Sequence, residues 1–244
     1  MKYILTLLIA FIILSANAQT LAIVNDPDGY VNVRKDGNNK APIIGQLKSG
    51  TIIVLNEEDK SEWKAFDYLS EDEKKFDSLA VKSHIIFSPG YIHKSRITRL
   101  DGLPRMSYKK GVGFVSLKPV NGVVDTVVLS IKIRPFSRKT HTIQRSHDGF
   151  VVQIDKKRPW GIDGELPKKE IYDVALTING NQVPMPKDSY DDLFEPGHDV
   201  DIYYDKMGNI YLHMLNSDGA GYYDLVWVIN NNKLTKRYTD NSNA

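Results

Sequence analysis

The sequence predicts a mainly β protein: a small N-terminal barrel followed by an antiparallel β-sandwich or open barrel. Three observations carry that expectation. Apolar residues recur in strand-length pieces, many with a period of two. Gly, Pro and Asn turn signals punctuate those pieces at short intervals. Successive strands are joined by connections too short for parallel crossovers.

The chain opens on Met1-Lys2, a 12-residue run rich in apolar side chains from Tyr3 to Leu14, and Ala16-Asn17-Ala18. A positive start, a short apolar stretch and an A-x-A pattern read as a secretory signal peptide over residues 1–18, cut before Gln19. The run falls short of the ~20 residues a spanning helix needs. Nothing later matches it, so no transmembrane segment is expected in the mature chain. The expected location is exported, in the periplasm or outside the cell. There is no cysteine, which excludes disulfides and a lipid-modified N-terminal cysteine. Burial alone can stabilise a domain of ~150 residues, which hides about two-thirds of its surface.

Residues 19–100 read as the first domain. Leu21 to Val24 and Tyr30 to Arg34 are strand-length, with the Asp26-Pro27-Asp28-Gly29 turn between them. A polar loop, Asp36 to Asn39, leads to Ile43–Leu47, which the Lys48-Ser49-Gly50 turn joins to Thr51–Leu55. Glu62–Phe66 alternates, and Gly90–His93 closes the series. Strands this short and this regularly interrupted suit a small barrel better than a helical bundle.

Val31-Asn32-Val33-Arg34, Gly45 with Leu47, Lys48 with Gly50, Trp63, Gly90-Tyr91-Ile92 and Ser95-Arg96-Ile97 occur in that order. This ordered set resembles the bacterial SH3-like (SH3b) domain. The resemblance implies a small barrel that recognises cell-wall peptide or glycan, or another protein. One departure is a 23-residue insertion, residues 67–89. Its Ser70-Glu71-Asp72-Glu73 start is a capping box, and Phe76, Leu79 and Ala80 share one helix face, so a short helix over about 71–81 is expected.

The candidate ligand-binding residues are Tyr30, Asn32, Arg34, Trp63, Tyr91 and Arg96. Aromatic faces offer apolar area with polar tips, and arginine offers a planar fork for carboxylates. A structural reading stands beside this one: Trp63 and Tyr91 fill the barrel, and Arg34 holds a turn by bonding carbonyls.

Residues 101–106 read as a linker and 107–240 as a β-rich second domain. Leu129, Ile131 and Ile133 alternate with polar neighbours, and so do Phe150, Val152 and Ile154, and Tyr172, Val174, Leu176 and Ile178. Asn179-Gly180 marks a hairpin turn of the primed type. Strands are expected at 200–204, 210–215, 222–229 and 234–238, and a turn or two of helix at Ser189–Phe194. The segments Trp160–Pro167 and Asn216–Tyr223 are similar to C-terminal regions of uncharacterised secreted bacterial proteins, a likeness that implies no activity.

Chemistry-bearing motifs are scarce. A cysteine nucleophile is excluded by composition, and the six histidines include no H-E-x-x-H pattern. No G-x-S-x-G elbow or phosphate-cradling loop appears. Asn216 to Gly219 lacks the further oxygen ligands and closing Glu of an EF-hand-type calcium loop. No enzyme, cofactor or metal is expected.

Charge is balanced, with 12 Lys/Arg against 12 Asp/Glu over 19–100 and 19 against 18 over 101–244. No nucleic-acid partner is expected, because neither half carries the positive excess of a nucleic-acid or anionic-membrane binder. The expected function is therefore a secreted binding protein for peptidoglycan or an envelope protein. The alternative is an inhibitor or immunity-type interaction module, suggested by a second domain that is basic early and acidic late.

Overall fold

Among the described residues, seven strands make the N-terminal unit: β1 (Gln19–Val24), β2 (Tyr30–Arg34), β3 (Ile43–Lys48), β4 (Ile52–Asn56), β5 (Trp63–Tyr68), β6 (Ser88–His93) and β7 (Ile97–Arg99). A computed structural model describes residues 19–56, 59–68, 88–108, 114–116 and 126–240. The expected helix at 71–81 lies outside the described residues. Two antiparallel sheets form, β4-β1-β7 and β3-β2-β6-β5. They face each other across one core: Ala22, Val24, Ile53 and Leu55 from the first, and Val31, Val33, Phe66 and Ile92 from the second. The small domain is thus a pair of facing sheets, and no hydrogen-bonded closure into a barrel occurs among the described residues.

Eleven further strands follow among the described residues: β8 (Ser107–Tyr108), β9 (Phe114–Ser116), β10 (Thr126–Pro135), β11 (Ile143–Arg145), β12 (Val151–Ile154), β13 (Lys169–Ile178), β14 (Asn181–Val183), β15 (Val200–Tyr204), β16 (Ile210–Asn216), β17 (Tyr223–Asn230) and β18 (Lys233–Asp240). The sheets β14-β13-β10-β9-β8 and β15-β16-β17-β18 are both antiparallel. Val127, Val174, Leu176 and Ile178 of one meet Ile202, Leu212, Leu225 and Trp227 of the other, which makes the expected sandwich. Asn179 and Gly180 both take positive φ, 51° and 77°, in the tight β13–β14 turn.

A third core joins the two units. Leu21, Ile23 and Ile52 leave the outer face of the β4-β1-β7 sheet and pack with Tyr203, Tyr211, Val226 and Val228 on the outer face of β15-β16-β17-β18. Period-two alternation makes this possible, because neighbours on one strand serve opposite faces. In β17, Leu225 and Trp227 serve the sandwich while Val226 and Val228 serve this interface. The result is four stacked β layers with three cores between them. The segment expected as a linker joins the same packing. Leu103 packs against the shared core, Met106 is buried in the sandwich, and the amides of Met106 and Tyr204 bond Ile202 and Pro104 carbonyls at 2.8 and 3.1 Å.

Three local expectations need correction. In β12 the buried residues are Val151 and Ile154, while Phe150 and Val152 are 55% and 41% exposed. A register shift between Gln144 and Arg145 on the partner strand turns the face over. In β13 Ile171 is buried and Tyr172 is exposed, because a bulge opposite Lys132/Ile133 leaves Tyr172 unpaired in the register. The Arg134 guanidinium covers its ring at 4.6 Å. A turn or two of helix is expected at Ser189–Phe194, but a 3-10 turn forms just before it, at Lys187–Ser189. Leu193 and Phe194 are instead taken into bridges with Trp160 and Glu170, which compete for the backbone a helix would use.

Burial pushes the phenols of Tyr211, Tyr223 and Tyr238 well above the ordinary tyrosine range. A raised folded-state pKa means the native state holds these protons more tightly than the unfolded chain. That stability is complete below about pH 10, the unfolded value, and declines above it. Urea midpoints are expected to be unaffected by these groups up to about pH 9.5 and to fall beyond pH 10. The slope is about 1.4 kcal/mol per pH unit for each tyrosine that must ionise on unfolding.

Candidate functional site

The N-terminal unit carries a surface cleft of about 550 Å³. Its floor is β2, whose Tyr30, Asn32 and Arg34 alternate outward while Val31 and Val33 enter the core. One wall is the turn after β1. Asp26 is buried there, and its side chain accepts the Asp28 amide at 2.9 Å while its backbone carbonyl accepts the Gly29 amide at 3.0 Å. Gly29 has φ of 82°, a conformation that favours glycine. Ser49 clamps the same turn, donating to the Asp26 carbonyl and accepting from its amide at 2.9 and 3.0 Å. The Asp26 carboxylate lies 3.1 Å from Arg96, so the turn orients that guanidinium at the cleft edge.

The opposite wall is the 36–41 loop. Arg34 donates to the Ala41 carbonyl at 2.7 Å, and Asn38 bonds the Lys40 amide through its side chain at 3.0 Å. A Cβ at Gly37 would lie 3.2 Å from Trp63 Cβ and 3.4 Å from Tyr91, so the loop rests directly on those two residues. Trp63 meets Arg34 with the guanidinium carbon 5.8 Å from its ring centroid, and His93 edge-on at 5.3 Å. His93 Nδ1 accepts the Ser95 amide and thereby caps the 3-10 turn Lys94–Arg96 that presents Arg96.

Five of the six expected residues therefore share one cleft: Tyr30, Asn32, Arg34, Trp63 and Arg96. Tyr91 stands apart, tucked behind the Gly37 loop. Arg34 serves both readings, since it holds the loop and also lines the cleft. Trp63 is half-buried, lies outside the small domain's core cluster and lines the cleft. Asp26, Asp28, Asn38, Asn39, His93 and Ser95 also line it, with Val31 beneath. In the sequence Asp26, Asp28, Asn38 and Asn39 read as turn and loop residues, His93 as a strand end and Ser95 as part of the SH3-like set, and only their adjacency to the ends of strands 30–34 and 90–93 could have marked them. Two guanidinium groups, several side-chain amides and two aromatic rings can take a carboxylate- and amide-bearing ligand with a face to stack.

A second cleft, of about 580 Å³, brings together the other two segments of note, 160–167 and 216–223. Gly161 and Gly221 have packing reasons, whereas a Cβ at Gly219 would meet nothing within 4 Å. A Cβ at Gly161 would stand 2.1 Å from the Phe194 carbonyl oxygen, and φ there is 94°. Ser217 donates to the Gly161 carbonyl at 3.1 Å. Asn216 is buried, accepts the Gly197 amide at 2.9 Å and donates to the Met214 carbonyl. Its amide is thus committed to the fold. No group of three or more His, Asp or Glu among the described residues is arranged to hold a metal ion.

No protein-family model matches this chain, and no curated protein or solved structure does either.

Proposed function

We propose that this is a secreted, non-enzymatic binding protein whose N-terminal SH3-like unit recognises cell-wall peptidoglycan, or an envelope protein, through the Tyr30–Arg96 cleft. The observation that supports this most is the convergence of Tyr30, Asn32, Arg34, Trp63 and Arg96 on one surface. Peptidoglycan stems offer carboxylates and amides to the arginines and asparagines, and sugar rings offer apolar faces to Trp63 and Tyr30.

Co-sedimentation of residues 19–244 with purified insoluble peptidoglycan, at low and high salt, tests the reading. The chain is expected to pellet with the wall at both. Failure to pellet at either salt would turn the cleft toward an envelope protein and favour the inhibitor-type alternative. A Trp63→Ala change keeps the Cβ on which the Gly37 loop rests. It is expected to weaken wall binding by about tenfold, as loss of one buried aromatic stack implies, with thermal unfolding unchanged.

A further inference from the structure

Most of the acidic run of the second domain is consumed internally, the carboxylates of Asp188 and Asp199 excepted. Asp191 pairs with Lys157 at 2.6 Å, Asp192 takes Arg237 through both oxygens at 2.7 and 3.0 Å, and Asp201 pairs with Arg105. Asp205 holds its own turn and the Tyr211 hydroxyl. Glu170 and Asp173 take Arg134 and Lys132. The basic run keeps a residue. Arg138, Lys139, Lys156 and Arg158 are exposed and have no ion-pair partner among the described residues, and Arg145 bonds only the Gly149 carbonyl of its own hairpin. Against these cations stand the exposed carboxylates of Asp148 in the hairpin and of Asp163 and Glu165 on the segment that bonds Val151 through Gly164, so the local positive excess that the near-neutral balance hides is a modest one.

That excess sits on one small, firmly seated element. Ile143, Val151 and Ile154 of the β11–β12 hairpin face inward onto Phe136 and Phe194. His141 meets Asp155 at 2.6 Å, and the Thr142 amide bonds the same carboxylate at 2.8 Å. These contacts fold the 138–140 turn beside the 155–156 turn, so Arg138, Lys139 and Lys156 gather at the hairpin base, with Arg145 toward its tip. Phe150 and Val152 are the exposed apolar pair between them, with one side of the Phe150 ring resting on Gly164 and the rest open to solvent.

We propose that this hairpin docks the protein on an anionic lipid bilayer surface, with the cations on headgroup phosphates and Phe150 and Val152 at the boundary of the acyl region. Cations near such a surface each strengthen binding, and an exposed aromatic beside them adds apolar burial. A soluble polyanion would satisfy the cations but leave the apolar pair without a role, which favours lipid.

The test is sedimentation of residues 19–244, a chain that contains every member of the four core clusters. The vesicles are phosphatidylcholine containing roughly one-third phosphatidylglycerol, with pure phosphatidylcholine as control. Binding to the anionic vesicles alone is expected, weakened about tenfold or more by R138E/K139E and about tenfold by Phe150→Ser. These positions lie outside the core clusters, and thermal unfolding checks that each variant is folded. Equal binding to both vesicles, no binding to either, or variants that bind as wild type would overturn the proposal. So would binding to polyglutamate but not to vesicles, which would assign the hairpin to an acidic polypeptide.

Discussion

Replacing Trp227 with alanine is expected to destabilise the protein by about 3–5 kcal/mol. The side chain is fully buried in β17 at the centre of the sandwich, and its indole N–H donates to the Ser189 carbonyl at 3.0 Å. Removing it leaves a cavity between two sheets whose backbones are held by hydrogen-bonded ladders and cannot collapse far. It also strands a buried carbonyl, which adds to the loss. Urea unfolding should show a lower midpoint with an unchanged slope. A loss under about 1 kcal/mol would mean that the sandwich core is not packed around this ring.

Tyr211→Ala is the second large effect, and its signature differs. Tyr211 is fully buried between the two units, packed in the core that Leu21, Ile23 and Ile52 share with β16 and β17, and its hydroxyl donates to Asp205 at 2.8 Å. Truncation is expected to cost about 3 kcal/mol. Because the cavity opens on the joint face, amide exchange should accelerate in β1 and β4 as well as in β16 and β17. Faster exchange confined to the sandwich would show that the units are energetically independent. The joint core also bears on how the small unit can be studied. Cut off at residue 100, it would expose Leu21, Ile23, Ile52 and Leu100 to water.

The strands were largely legible in the sequence because each face of an antiparallel sheet leaves a period-two trace. Val31/Val33 against Tyr30, Asn32 and Arg34 is the clearest case, and it also places the cleft floor. What alternation could not reveal is a strand buried on both faces. Leu21 to Val24 and Leu225 to Ile229 read as plain apolar runs, yet neighbouring residues in them serve different cores. The four-layer stack was therefore invisible. Bulges were a second blind spot, since one extra residue reverses a face, as Tyr172 and the Phe150/Val152 pair show. The cleft walls were a third. Asp26 and Asn38 looked like turn formers, and they are, but the same hydrogen bonds that make the turns also carry Arg96 and the 36–41 loop to the site.

The most direct measurement compares the wild-type chain with a Tyr30→Ala/Trp63→Ala variant in co-sedimentation with purified peptidoglycan. Neither side chain belongs to a core cluster, so matched thermal unfolding confirms that both proteins are folded. Wall binding through the Tyr30–Arg96 cleft predicts that the wild type pellets with the wall and the double variant stays in solution. Equal pelleting of the two would contradict it, because the wall would then be held by some other surface.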